Sequence, residues 1–250
     1  MIGTDYSNAI SITRNIFWVG FREGERLQCN PYLLVDRGCA VLIDPGSIPD
    51  FPLMMRKVID VVDPSVIELV VASHQDPDIA GCLPVLEDVI ARPDLRIAAH
   101  ANTHRLIRHL GFHAEPYVVE EHGNEYVTSS GDRLHFIYTP YAHSPGAIAT
   151  YHPATQSLFT SDLFGAMTSD ADIFSSPDFP RSMDAFHQAY MPSGAVLRAA
   201  LERLRDLPIQ RILPQHGTII EGDAVKVAFE HLSQLPCGID LLTRDGGGHA

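Results

Sequence analysis

Three histidines and three aspartates follow short apolar segments of the sequence, each at the point where a predicted strand ends. They are His74, Asp76, Asp78, His143, Asp162 and His216. In extended backbone, alternate side chains project to the same side, so the first three of these residues would converge. Because α/β folds assemble their sites at such strand ends, the pattern predicts one shared site of imidazole and carboxylate groups.

Imidazole and carboxylate groups in this number favour a metal site. Six nitrogen and oxygen ligands exceed the four that a tetrahedral zinc ion requires, and they would suit two ions that share a carboxylate. Mixed ligation with open positions is the chemistry of non-haem iron, while zinc and manganese fit the same ligand types. Taken alone, each segment also fits a simpler role, such as Asp78 capping a helix. Four such strand ends in one chain favour the metal interpretation.

Short strands and helices must position these residues, and apolar periodicity predicts where they lie. The predicted strands cover residues 16–20, 31–35, 40–44, 66–72, 95–99, 134–138, 147–151, 157–160 and 209–213. The predicted helices cover 51–62, 83–91, 101–110, a segment from 191 or 193 to 207, and 223–235. This order predicts an α/β fold with two sheets covered by helices on the outside.

A segment without periodicity, residues 164–180, is predicted to be a long loop, and loops of this length are usually functional. Its residues Phe164, Phe174 and Phe179 could keep the site dry, or could anchor the loop by apolar contact. Because no repeat or linker marks a second domain, residues 1–242 are predicted to form one domain and 243–250 a flexible tail.

The composition excludes several classes of partner. The chain has 250 residues, with 18 Lys and Arg against 31 Asp and Glu and a formal charge of −13. Nucleic acids and anionic membranes are bound through basic groups, so neither is expected. No apolar run approaches the roughly 18–20 residues that span a bilayer, and no apolar signal-peptide core follows the start. We therefore expect a cytoplasmic protein. Its four cysteines form no Cys-x-x-Cys pair and are interpreted as buried thiols.

The order of the six candidate ligands resembles the metallo-β-lactamase superfamily. It is most similar to the iron-binding domain of the flavodiiron proteins and to the related stand-alone oxygen-binding diiron proteins. The segments that carry the resemblance are IFWVG, NPYLLVD, AVLIDPG, LFTSDLFG and ILPQHGTII, which run through nearly the whole chain. The resemblance implies an αββα sandwich, with two central mixed sheets and helices on the outer faces.

The resemblance also implies a ligand set for two iron ions. One iron would be held by His74, Asp76 and His143, and the other by Asp78 and His216, with Asp162 as the bridge. Zinc hydrolases of the superfamily have His at the positions of Asp76 and Ile79. Flavodiiron proteins instead have a carboxylate, usually Glu, at the first position and no ligand at the second. Both differences point to iron.

The function implied by this resemblance is O2 binding. Flavodiiron proteins reduce O2 or NO with electrons from an FMN domain after the metal domain, and we expect no FMN in this chain. The leading interpretation is therefore a non-haem diiron protein that binds and senses O2. One alternative is an O2 or NO reductase served by a separate flavoprotein or rubredoxin. The other is a dinuclear metallo-hydrolase, in which a metal activates a bound water. A signalling partner and a homodimer stay open, and no catalytic residue is assigned.

Overall fold

Two β-sheets lie face to face, and helices cover the outer side of each. The computed structural model describes residues 5–22, 27–167, 172–174, 176 and 178–245. The strands are β1 (Ile10–Ser11), β2 (Ile16–Trp18), β3 (Tyr32–Asp36), β4 (Cys39–Ile43), β5 (Ile67–Val71), β6 (Arg96–Ala99), β7 (Glu115–Val118), β8 (Glu125–Val127), β9 (Arg133–Tyr138), β10 (Ile148–His152), β11 (Ser157–Ser161), β12 (Arg211–Pro214) and β13 (Ile220–Glu221). The helices are α1 (Phe51–Val61), α2 (Pro77–Ala80), α3 (Leu83–Ile90), α4 (Ala101–Ile107), α5 (Asp184–Tyr190), α6 (Gly194–Leu204), α7 (Asp223–Ser233) and α8 (Ile239–Asp245).

Strand order places several carboxyl ends at one edge of the molecule. The first sheet contains β1 to β7 in chain order, and the second contains β8 to β13 in chain order. In the first sheet, β4, β5, β6 and β7 pair in parallel, whereas the parallel pair described in the second sheet is β11 with β12. Parallel neighbours end at the same edge, so the residues that follow β4, β5, β11 and β12 come together there.

Apolar side chains fill three layers, one between the sheets and one under each set of helices. The inter-sheet layer includes Trp18, Leu69, Leu134 and Phe159, none more than 1% exposed. A second layer joins α1, α3 and α4 to the first sheet, and a third joins α6 and α7 to the second sheet. This helix–sheet–sheet–helix arrangement confirms the predicted αββα fold. None of the helices described is both long and apolar enough to cross a membrane.

The structure also contains elements that periodicity did not predict. They are the helices α2, α5 and α8 and the strands β1, β7, β8 and β13. All are short. Because β7 begins with the exposed Glu115 and β8 with the half-buried Glu125, neither gives an apolar run. The helix α8 runs to Asp245, into the predicted tail, and residues 246–250 lie outside the described part of the chain.

We expect the inter-sheet layer to provide much of the fold's stability. Leu134 on β9 is 0% exposed, so Leu134→Ala should lower the free energy of unfolding by about 2–5 kcal/mol, through lost burial and the cavity left behind. Leu242→Ala is the matched control, since that leucine is 74% exposed, and it should change stability by less than about 0.5 kcal/mol. Denaturant unfolding of the metal-free protein measures both. Equal effects of the two substitutions would contradict this account of the core.

Candidate metal centre

The first sheet contributes three acidic or imidazole side chains through the segment after β5. This strand is buried along its whole length and leads through Ser73 to His74, which is 1% exposed. Asp76 then precedes α2, and Asp78 lies in the first turn of that helix. The extended backbone predicted for this segment therefore ends at Asp76, because Pro77 has a fixed φ that suits the first position of a helix.

Asp76 occupies the N-cap position of α2 but does not act as a cap. Its side chain makes no capping hydrogen bond within the described structure, and it accepts one from Gln75 Nε2 at 2.9 Å. Its Oδ2 instead lies 3.6 Å from His74 Nε2 and 3.5 Å from His143 Nε2. The helix start thus turns this carboxylate toward two imidazoles.

The second sheet contributes the other three side chains from the segments that follow β9, β11 and β12. His143 lies in the turn between β9 and β10, Asp162 directly follows β11, and His216 follows β12 by two residues. Backbone hydrogen bonds hold these ends together, since Gln215 N donates to Ser161 O at 2.7 Å and Ala166 N donates to His216 O at 3.2 Å. Ser73 O accepts from Ile148 N at 3.0 Å and so ties this group to the first sheet.

Asp162 lies at the centre of the cluster, with its two oxygens facing different groups. Oδ2 is 2.6 Å from His143 Nε2 and 3.3 Å from His74 Nε2. Oδ1 is 3.3 Å from His216 Nε2, and that same nitrogen is 3.4 Å from Asp78 Oδ2. The six residues singled out in the sequence therefore lie together, in two groups that meet at one carboxylate.

Burial differs across the cluster and defines its open side. The side chains of His74 and His216 are 1% exposed and that of Asp162 is 4% exposed. Those of Asp76 and Asp78 are 33% and 34% exposed. A small molecule would therefore reach the cluster from the side where the two outer carboxylates lie.

Hydrogen bonds on the far side of two imidazoles leave their other nitrogens available as ligands. His74 Nδ1 lies 3.0 Å from Ser161 Oγ, and His216 Nδ1 lies 2.9 Å from the carbonyl oxygen of Gln28. A carbonyl only accepts, so Nδ1 of His216 carries a proton, and in the neutral imidazole the lone pair is on Nε2, which faces the cluster. Partners of this kind fix the tautomer and orientation of metal-binding histidines.

Two buried atoms in the cluster indicate that a cation fits there. His74 Nε2 and Asp162 Oδ1 are inaccessible to solvent and have no hydrogen-bond partner among the described residues. A buried polar atom without a partner costs about 1–3 kcal/mol. Imidazole nitrogen and carboxylate oxygen are ordinary ligands of divalent transition metals, so a bound cation would satisfy both atoms.

The charges of the cluster are strongly coupled. Burial opposes a charge on His74, but the carboxylates of Asp162 and Asp76 outweigh it and raise the pKa of His74 to about 9. The pKa of His216 is likewise raised against the effect of burial, by Asp162 and Asp78. Burial also opposes ionisation of Asp162, yet the three histidines hold its pKa well below the usual value. In the metal-free protein, protons on the imidazoles thus balance the negative charge of Asp162.

Sequence reasoning missed Asp44, a buried carboxylate that supports the cluster. It directly follows β4, and its Oδ1 accepts a hydrogen bond from the backbone N–H of Ser73 at 2.9 Å. Burial raises the pKa of Asp44 to about 6. The signal was present, because Asp44 ends the apolar run AVLID as the other candidates end theirs.

The aromatic side chains beside the cluster come from α5 rather than from the predicted loop. The Phe186 ring centroid lies 5.3 Å from that of His216, and the Tyr190 centroid lies 5.7 Å from that of His143. Phe164 instead packs against Phe229 of α7 at 4.9 Å, and Phe174 is 42% exposed. These contacts favour the loop-anchoring role for Phe164.

Comparison with known families gives one extensive match. The model of the family described as "ODP family beta lactamase" matches residues 27–217. A curated nitric oxide reductase of Moorella thermoacetica is 26% identical over 246 residues, which cover 88% of this chain and 60% of that protein. The chain spans a little over half of the length of this relative and of a similar archaeal protein.

Solved structures show the same fold over almost the whole chain. One, described as "Peroxy diiron species of chemotaxis sensor ODP", has a TM-score of 0.78 and 24% identity, and the match covers 94% of this chain and 98% of that one. The flavodiiron protein of Giardia intestinalis has a TM-score of 0.78 and 23% identity, with 93% and 60% covered. The resemblance predicted from the sequence is therefore confirmed, for the family by the ODP family beta lactamase match and for the fold by the ODP and flavodiiron structures.

The coupled charges predict a pH dependence for the stability of the metal-free protein. The pKa of His74 is raised from its unfolded value of about 6.5 to about 9. Its protonated form therefore stabilises the fold fully below pH ~6.5, and this contribution is lost as the pH rises to ~9. We expect the free energy of unfolding to fall by a few kcal/mol (order of magnitude) over this window in denaturant titrations.

The control for this prediction is Asp162→Asn, which removes the central negative charge. It should lower the pKa of His74 and flatten the pH dependence between pH 6.5 and 9. A wild-type protein whose stability does not change over this window would show that His74 is not charged in the metal-free fold.

Proposed function

The chain belongs to the ODP family beta lactamases, and from this membership we propose that it binds O2 at a non-haem diiron centre and acts as an oxygen sensor. The proposed ligands are those that the sequence resemblance implies. His74, Asp76 and His143 hold one iron, Asp78 and His216 hold the other, and Asp162 bridges them.

The position of Asp162 is the observation that carries this proposal. Its two carboxylate oxygens face separate groups, with His74 and His143 on the side of Oδ2 and His216 on the side of Oδ1. A carboxylate that bridges two cations needs one oxygen directed to each. Because Asp162 is also buried, water competes poorly for either oxygen.

Different residues of the chain have different roles at this site. When bound by these residues, two reduced irons would supply the two electrons that O2 binding requires. The carboxylates of Asp76, Asp78 and Asp162 offset part of the positive charge of the cations. Ser161 and the Gln28 carbonyl orient the imidazoles of His74 and His216. The ring of Phe186, which is 1% exposed, limits the access of water next to His216.

The ligand positions favour iron over a zinc hydrolase centre. Where the hydrolases of the superfamily place two further histidines, this chain has Asp76 and Ile79. The Ile79 side chain is 0% exposed and offers no donor atom. The donor set is therefore richer in carboxylate than the hydrolase set, as suits the harder cation.

The relatives support O2 binding as the function, and one of them supports a second candidate function. The solved ODP protein is described as a chemotaxis sensor with a peroxy diiron species, and its match extends over nearly its full length. The Moorella relative is named a nitric oxide reductase. A reductase served by a separate electron-donor protein, such as a flavoprotein or rubredoxin, is therefore the second candidate function.

Removing the bridging carboxylate tests the proposed ligand set. Protein purified without added metal should contain about two iron ions per chain, with little zinc. Asp162→Ala should abolish metal binding at both positions together. Each position loses a ligand, and the positive charge of its ion is no longer offset by the carboxylate. Elemental analysis measures the metal content, and Asp88→Ala, an exposed aspartate of α3, is the control. Two irons retained by Asp162→Ala would refute the bridge, and two zinc ions in the wild type would refute the diiron proposal.

An oxygen titration separates a sensor from a reductase. Anaerobic, reduced, iron-loaded protein should give an optical spectrum that changes with a stoichiometric amount of O2 and then persists. A sensor should show no sustained O2 or NO consumption when a reduced flavoprotein or rubredoxin is added. Sustained consumption would identify the reductase, and an unchanged spectrum would exclude O2 as the ligand.

A further inference from the structure

Cys29 lies at the second metal position, although the resemblance assigns it no role. Its sulfur, an oxygen of Asp78 and a nitrogen of His216 all lie within 4.8 Å of one another. The side chain of Cys29 is 2% exposed and is a free thiol. A buried sulfur is thus placed beside both residues proposed to hold the second iron.

The backbone around Cys29 is fixed against the loop that contains His216. The Gln28 carbonyl accepts from His216 Nδ1, and Asn30 N donates to Gln215 O at 2.7 Å. The Asn30 side-chain amide donates to the carbonyls of Pro214 and Gly217 at 2.9 and 3.0 Å. Hydrogen bonds on both sides of Cys29 therefore hold its sulfur close to His216.

An independent observation indicates that this position takes a cation. Asp162 is 3% exposed, and its Oδ1 faces His216 Nε2 at 3.3 Å but has no hydrogen-bond partner among the described residues. The second position therefore has an imidazole, a carboxylate oxygen and a sulfur within 4.8 Å of one another, and Asp162 Oδ1 beside the imidazole is a fourth donor. Four donors of these types are enough for a divalent transition metal.

We propose that Cys29 is a thiolate ligand of the second metal ion, beside Asp78, Asp162 and His216. This proposal rests on the dinuclear centre proposed above. On binding, the thiol loses its proton to solvent and forms a sulfur–metal bond. The four anionic donors of the centre, Asp76, Asp78, Asp162 and Cys29, then match the four positive charges of two divalent cations, which favours a buried site.

The proposal makes the two metal positions chemically different. The first position has nitrogen and oxygen donors from His74, His143, Asp76 and Asp162. The second has the thiolate as well, which prefers zinc, iron or cobalt to harder cations such as manganese. Cobalt(II) reports this difference directly, because a cobalt–thiolate bond adds a near-ultraviolet charge-transfer absorption that nitrogen and oxygen ligands do not give.

The test is an anaerobic titration of reduced, metal-free protein with Co2+. We expect two ions to bind, with the charge-transfer absorption rising for one of the two. Cys29→Ser should abolish this absorption. It should also lower the affinity for the second ion by at least about 10- to 100-fold, measured in competition with a chelator. Cys29→Ala should do the same, and the circular dichroism spectrum of both variants should match that of the wild type. Cys237→Ala is the control, since Cys237 is also fully buried and should leave the absorption unchanged.

The outcomes distinguish this proposal from the one on which it rests. Two cobalt ions bound without the charge-transfer absorption would overturn the role of Cys29 and leave the dinuclear centre intact. The same absorption in Cys29→Ser would also overturn it. Fewer than two ions bound by the wild type would overturn the dinuclear centre, and the proposal for Cys29 would fall with it.

Discussion

The buried carboxylate of Asp162 is the constraint on which the rest of the site depends. A charge that is 3% exposed is costly unless cations or protonated groups surround it. Three imidazoles meet this requirement, and each comes from a different strand end. The fold must therefore hold four chain segments together around one side chain, and the parallel strand pairs do so by ending at the same edge.

Support for these imidazoles comes from backbone groups and from small side chains. The first sheet is tied to the second through Ser73 O, which accepts from Ile148 N, while Asp44 holds the Ser73 N–H. The second sheet is tied to the segment after β2 through Gln28 and Asn30. The ring orientations therefore follow from the sheet topology, and the half-buried carboxylates of Asp76 and Asp78 complete the open side.

The sequence was sufficient to predict the fold class and to predict that the six candidate ligands lie in one site. Both depend on apolar runs and on polar residues at their ends, which are local features. Periodicity missed α5, and with it Phe186 and Tyr190, because a seven-residue helix contains only about two turns. The placement of Cys29 could not be predicted, since its contact with His216 depends on hydrogen bonds between segments 188 residues apart.

The distribution of the ligands along the chain has a consequence for biosynthesis. His74 contacts a hydroxyl 87 residues later, and the Gln28 carbonyl contacts an imidazole 188 residues later, so the orientation of both imidazoles depends on contacts distant in sequence. Such contacts form late in folding, because long loops must close first. A nascent chain on the ribosome thus has no complete centre until β12 has been synthesised and paired with β11. Binding of both proposed metal ions would therefore follow the assembly of both sheets.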